Sequence, residues 1–216
     1  MEKILSFLED LRENNNRDWM QENKKRYEAA KNEFKQVIVQ LLEGICQFDE
    51  GVQGLQPKDC IFRLNRDIRF SKDKSPYKTN FGAAMMEGGR KTGNPTYYIH
   101  IQPGNSFVAG GVYMPEADNL KKIRQEIDYN PEELKNIVDS PEFKKTFGVM
   151  TGEQLKTAPK GYPKDHPNIE LLRFKSFIVS KDVSDKMVSA RSFIDNTIRD
   201  FKVLHPFNQY FSVAIS

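Results

Sequence analysis

The sequence predicts an α+β fold, a single domain whose mostly antiparallel sheet is flanked by N- and C-terminal helices. Three observations carry this expectation. Apolar residues keep helical spacing at both ends of the chain, whereas the middle switches to two-residue alternation. The 216 residues, 38% hydrophobic with 15 Phe and 8 Tyr, suffice for one core.

Residues 2–13 set Ile4, Leu5, Leu8 and Leu11 on one helical face. Asn14, Asn15 and Asn16 interrupt it, and one of them is expected to cap the next helix. From Arg17 to about Phe48, Trp19, Tyr27, Phe34, Val37, Leu41 and Ile45 predict one long helix or two collinear pieces.

Residues 60–70 then alternate, with Phe62, Leu64, Ile68 and Phe70 on one face and Ile61, Arg63, Asn65, Asp67 and Arg69 on the other. This pattern predicts a half-buried strand. Arg66 falls on the apolar side, which calls for a bulge that re-aims it or a buried carboxylate such as Glu28, Glu33, Asp195 or Asp200. Further strands are expected at 82–87, 96–102 and 106–114, with Gly104-Asn105 as a two-residue hairpin turn. Residues 88–95 form a basic, flexible connection. Helices come next at about 115–128, 131–138 and 141–147, then a Pro/Gly-rich loop at 158–167 and a short helix near 168–173. Residues 176–183 return to the sheet. Ser184 or Asp185 caps a last long helix with Met187, Ile194, Ile198 and Phe201 inside.

Composition excludes several classes. Cys46 and Cys60 cannot build a disulfide framework and match no zinc spacing, so a reducing cytoplasm is the expected compartment. The N-terminus carries acidic residues within its apolar pattern and reads as an amphipathic helix, not a signal peptide. No stretch reaches the roughly 20 apolar residues of a membrane span. His100, His166 and His205 have no metal-ligand spacing. Phosphate-binding glycine loops, dinucleotide fingerprints and nucleophile elbows are absent, and the sequence identifies no cofactor, present or not.

Charge is concentrated in one block. Phe62 to Lys78 holds three arginines and three lysines against two aspartates, a net +4 in a chain whose total is +3. Guanidinium groups grip phosphate or carboxylate at two points and lysine adds point charge. Arg63, Asn65, Arg66, Arg69, Ser71, Lys72, Lys74 and Lys78 are therefore the candidate binders of an anion. Arg63 and Arg69, six residues apart, would stand roughly 20 Å apart on a straight strand and could not share one small anion. Tyr98, His100 and Gln102 share a face of the 96–102 strand. If that face adjoins the block, His100 and Asp67 are the acid–base candidates and Tyr98 a further binder. The competing reading pairs these charges internally. Cys60 reads as core, and Lys160-Gly161-Tyr162 with the Lys175 region forms a second basic, aromatic patch.

Several segments resemble an uncharacterised family of bacterial and fungal proteins, the domain of unknown function 2461. They are Phe7-Leu8-Glu9-Asp10-Leu11 with Asn14 to Trp19, Asn23 to Tyr27, the whole 62–78 block, Gly110-Gly111-Val112-Tyr113 with Pro115, and Leu155-Lys156 with Pro159 to Tyr162. The resemblance runs from about residue 4 to 212 and implies a single α+β domain. It brings no activity, cofactor or catalytic residue with it.

The leading expectation is a site that binds or acts on a phosphorylated or carboxylated small molecule. The alternatives are a nucleic-acid-binding module on the same surface, and an interaction protein with an internally paired cluster.

Overall fold

A computed structural model describes all 216 residues. Helix α1 (Glu2–Glu13) buries Ile4, Leu5, Phe7, Leu8 and Leu11. Asn16 is the capping asparagine: its side chain accepts from the Trp19 amide at 2.9 Å and starts α2 (Arg17–Glu22). The helical stretch expected from Arg17 forms as two pieces parted at Asn23, after which α3 (Lys24–Ile45) begins. A 3₁₀ turn (Glu50–Val52) and the short helix α4 (Pro57–Cys60) lead to the sheet.

Four strands, β1 (Phe81–Met85), β2 (Thr96–Ile101), β3 (Ser106–Val112) and β4 (Phe177–Val183), lie in sequential order and are all antiparallel. The β2–β3 turn is centred one residue earlier than expected. Asn105 N–H donates to the Gln102 carbonyl at 2.9 Å, so Pro103 and Gly104 are the central pair. Proline fixes the first of these positions, and Gly104, at φ +74°, takes the left-handed second one.

Between β3 and β4 run α5 (Ala117–Tyr129), α6 (Pro131–Asp139), α7 (Pro141–Phe147) and α8 (Ile169–Leu172). The last helix is also interrupted. Ser184 caps only α9 (Asp185–Ser189), and α10 (Phe193–Ile215) starts afresh. Met187, expected inside, is 41% exposed.

Sequence alternation on β2 sorts the two faces of the sheet. Tyr97, Ile99 and Ile101 are buried with Val108, Val112, Phe177 and Val179 against the helices. Phe34 of α3 and Phe7 of α1 meet Phe81, with ring centroids 5.3 and 6.4 Å apart, while Phe201 and Phe211 of α10 meet Tyr97 and Phe177 at 5.3 and 5.1 Å. Gly110 has no side chain because α10 fills its place: a Cβ there would lie 2.1 Å from Leu204 Cδ2. No helix is long and apolar enough to cross a membrane.

The other face is half-buried and carries no helix. Register sets Gly82, His100, Phe107 and Asp182 in one row and Ala84, Tyr98, Ala109 and Ser180 in the next. Both edges are blunted. Ile61 bridges Ala83, and Phe62 N–H donates to Gly82 at 2.9 Å beside β1. Thr151 exchanges bonds of 2.7 and 3.0 Å with Ile178 of β4.

The strand expected at 60–70 does not form. Residues 61–66, bent at Leu64, meet 76–83 through isolated bridges, with 67–75 as the tip of an irregular hairpin. Arg66 N–H donates to the Pro76 carbonyl at 2.9 Å, and Lys78 N–H to Leu64 at 2.8 Å. Pro76 has no amide to return, and beyond Phe62 no further strand supports the ribbon. Of the apolar positions only Leu64 enters the core, and Phe70, read as inward-facing, is 96% exposed.

Candidate functional site

The hairpin is held in place by Asn15, whose Nδ2 donates to the Tyr77 carbonyl at 3.0 Å while its Oδ1 accepts from the Tyr77 amide at 3.1 Å. Two of the three arginines are consumed locally. Arg66 pairs with Asp73 and reaches Ser71 Oγ at 3.5 Å; none of the helix acids Glu28, Glu33, Asp195 or Asp200 meets it. Arg69 grips both oxygens of Asp67, at 3.0 and 2.7 Å. Those bonds hold Asp67 below the usual carboxylate range. Asp73 is pushed down further, by the Ser75 hydroxyl first and Arg66 next. The internally paired reading thus describes half of the block.

The other half has no acid partner. Arg63 and Lys72 are exposed and make no ion pair, Asn65 is exposed without a side-chain bond, and Lys74 Nζ donates only to the Ile68 carbonyl at 3.0 Å. Lys78 is half-buried with its ammonium 5.6 Å from the centre of the Phe62 ring. Burial, then the charge of Arg63, pulls its pKa down.

On the open sheet face Tyr98, His100 and Gln102 form a chain. His100 Nε2 lies 2.9 Å from Gln102 Oε1, and Nδ1 lies 3.1 Å from the Tyr98 hydroxyl and 3.4 Å from Asn80 Nδ2. Gln102 Oε1 can only accept, so the proton sits on Nε2, and Nδ1 accepts from Tyr98 and Asn80. The ring stacks on Phe107 at 4.6 Å and 12°. Burial lowers the His100 pKa, against a smaller upward effect of Gln102 and together with a smaller downward effect of Lys78. Burial raises that of Tyr98. The tyrosine hydroxyl lies over Gly82, where a Cβ would come within 2.8 Å of it.

The structure therefore brings Lys78, Arg63, His100 and Tyr98 into electrostatic or hydrogen-bond range. Asp67 is tied to Arg69 in the exposed tip and makes no bond to His100. Sequence reasoning missed Asn80 and Phe107 as neighbours of His100. Phe107 was within reach, because the β2–β3 register depends on where the turn is centred.

Elsewhere the chemistry is sparse. The second basic patch dissolves into local contacts: Tyr162 packs edge-on against His166, His166 meets Asp128 at 2.9 Å, and Lys175 pairs with Glu153 at 2.6 Å. Cys60 is buried, and its thiol is pushed up to about 11 by burial. No group of His, Cys, Asp or Glu is arranged to hold a metal ion. A groove of about 860 Å³ between α6, α7 and α10 holds Glu133, Glu142 and Lys202 but no histidine, cysteine or arginine.

No curated protein and no solved structure matches the chain. A family model does, over residues 3–210: the chain belongs to the family described as conserved hypothetical protein (DUF2461).

Proposed function

We propose that the open sheet face beside the 62–80 hairpin binds a phosphate- or carboxylate-bearing ligand, with Arg63 and Lys78 as its anchors. One observation carries this reading. Lys78, with its ammonium 5.6 Å from the Phe62 ring, and Arg63 stand close enough for one charge to lower the basicity of the other, and neither makes an ion pair; the nearest acid to Arg63, Asp67, is bonded to Arg69. A desolvated ammonium facing a guanidinium is unfavourable alone and relieved by an anion. Tyr98 and His100 border the same place. A neutral imidazole whose Nδ1 already takes a hydrogen bond from a phenol is suited to accept a proton delivered through that phenol. His100 keeps its candidacy as a proton carrier. Asp67 does not, being engaged by Arg69.

Phosphate or sulfate should raise Tm by mass action on the native state. Arg63→Gln with Lys78→Gln should remove most of that response in a protein that still folds. A response undiminished in the double variant overturns the assignment. Arg69→Gln serves as the control and leaves the response intact.

A further inference from the structure

We infer that the ligand's phosphate belongs to a single-stranded nucleic acid, one base of which stacks on Phe70 while the backbone runs along the unpaired cations of the hairpin toward the open sheet face. The inference rests on the anion site proposed above, where one backbone phosphate would sit.

Phe70 is the observation that calls for a partner. At 96% exposure it is the most exposed large apolar side chain of the molecule, and it stands at the hairpin tip, not in a disordered tail. The tip is ordered by its own bonds. Asp67 holds the Arg69 amide at 3.3 Å and its guanidinium at 2.7 Å, Asp73 accepts from the Ser75 amide at 2.9 Å, and Lys74 closes on the Ile68 carbonyl. Arg69 also lies over one face of the Phe70 ring, 5.9 Å from its centre. An exposed ring on a hydrogen-bonded loop, with a cation near one face and the other face open, is a stacking platform for a base.

The surroundings select the partner. Single-strand binders combine a cationic track for the backbone with aromatic rings for the bases. Here Lys72, Lys74, Arg63 and Lys78 are the cations without carboxylate partners, and they lead from the tip to Tyr98 and Phe107 on the sheet. From Leu64 to Phe70 the chain spans at most about 20 Å, a distance of a few nucleotides. A membrane surface fits less well, because a single ring offers little area for insertion.

The test uses the full chain and a fluorescently labelled 12-nucleotide oligothymidylate, read by anisotropy at several salt concentrations. Wild type should bind at low salt, with log K falling against log salt at a slope near −2 to −3, as expected for about four phosphate contacts. Phe70→Ala should weaken binding roughly tenfold without changing Tm or the thermal response to inorganic phosphate. Phe70→Trp should retain binding, and its emission should be quenched by the oligonucleotide. Absence of oligonucleotide binding at low salt, or binding indifferent to Phe70→Ala, overturns the inference. So does Phe70-dependent binding to phosphatidylserine vesicles without oligonucleotide binding. If the phosphate response survives any of these results, the anion site stands and only the nucleic-acid assignment falls. If Arg63→Gln with Lys78→Gln leaves the phosphate response intact, the anion site itself falls.

Discussion

Asn15 and Tyr77 exchange two hydrogen bonds, side-chain amide against backbone, as a neighbouring strand would. The asparagine between α1 and α2 thus substitutes for the missing strand beside the 76–80 limb and ties the basic hairpin to the helical layer. Asn15→Ala strands both polar groups of Tyr77 and should lower stability by about 1–2 kcal/mol in chemical denaturation. Amide exchange should rise through residues 66–78. Unchanged exchange there would show that the hairpin is held by something else.

Lys78→Gln should raise the pKa of His100, because one of the two influences that lower it disappears. The titration is followed by NMR of the imidazole, and a value that stays put would show that the two groups do not face one another.

The same histidine makes stability pH-dependent in a defined direction. Its folded pKa lies below the unfolded value of about 6.5, so the unfolded chain binds the extra proton first. The contribution is complete above about pH 6.5 and is lost as pH falls through the folded value. Compared with wild type, His100→Gln should flatten the stability profile in that window. Equal slopes in the two proteins would contradict the burial assigned to this ring.

On the opposite face the Tyr97 hydroxyl lies 2.8 Å from Asp49 Oδ2 and 2.9 Å from His205 Nδ1, joining the start of the 3₁₀ turn to α10. Burial, with Asp49 beside it, keeps the phenol neutral by raising its pKa. Tyr97→Phe should cost about 1–2 kcal/mol, since Asp49 and His205 lose their shared partner but keep some access to water. Denaturation midpoints of the two proteins check this.

Gly110→Ala should destabilise by about 1–3 kcal/mol or more, because the new Cβ overlaps Leu204 and sits 2.6 Å from the Thr96 carbonyl. Pairing it with Leu204→Ala should recover part of the loss. The backbone carbonyl contact remains, so recovery should be incomplete.

How far the sequence could be read depended on what each pattern reports. Hydrophobic period located α1, the three strands of the meander, β4 and the helices between, since these elements bury one face. It failed at 60–70, where alternation was present without a sheet to receive it. Pro76 on the facing limb was the available signal, since it removes an amide from the pairing. Met187 was misplaced because Ala190 is extended and ends α9, and no proline or glycine announces that break. For the site, parity placed Tyr98, His100 and Gln102 together, and composition identified the cations. Which cations keep a free charge depended on local geometry at the tip. Arg66 with Asp73, and Arg69 with Asp67, are pairings that spacing alone leaves open. A turn centred on Gly104-Asn105 would have set His100 opposite Ala109, whereas Pro103-Gly104 sets it opposite Phe107.

The fourth strand and the helix that covers the centre of the sheet both come from the last forty residues of the chain. As a ribosome releases the polypeptide, Val108, Val112 and the Gly110 hollow have no cover until α10 emerges. Bringing β4 beside β3 also requires closing the long connection from Val112 to Phe177. An apolar row left open in this way is a hazard for aggregation until the last helix docks.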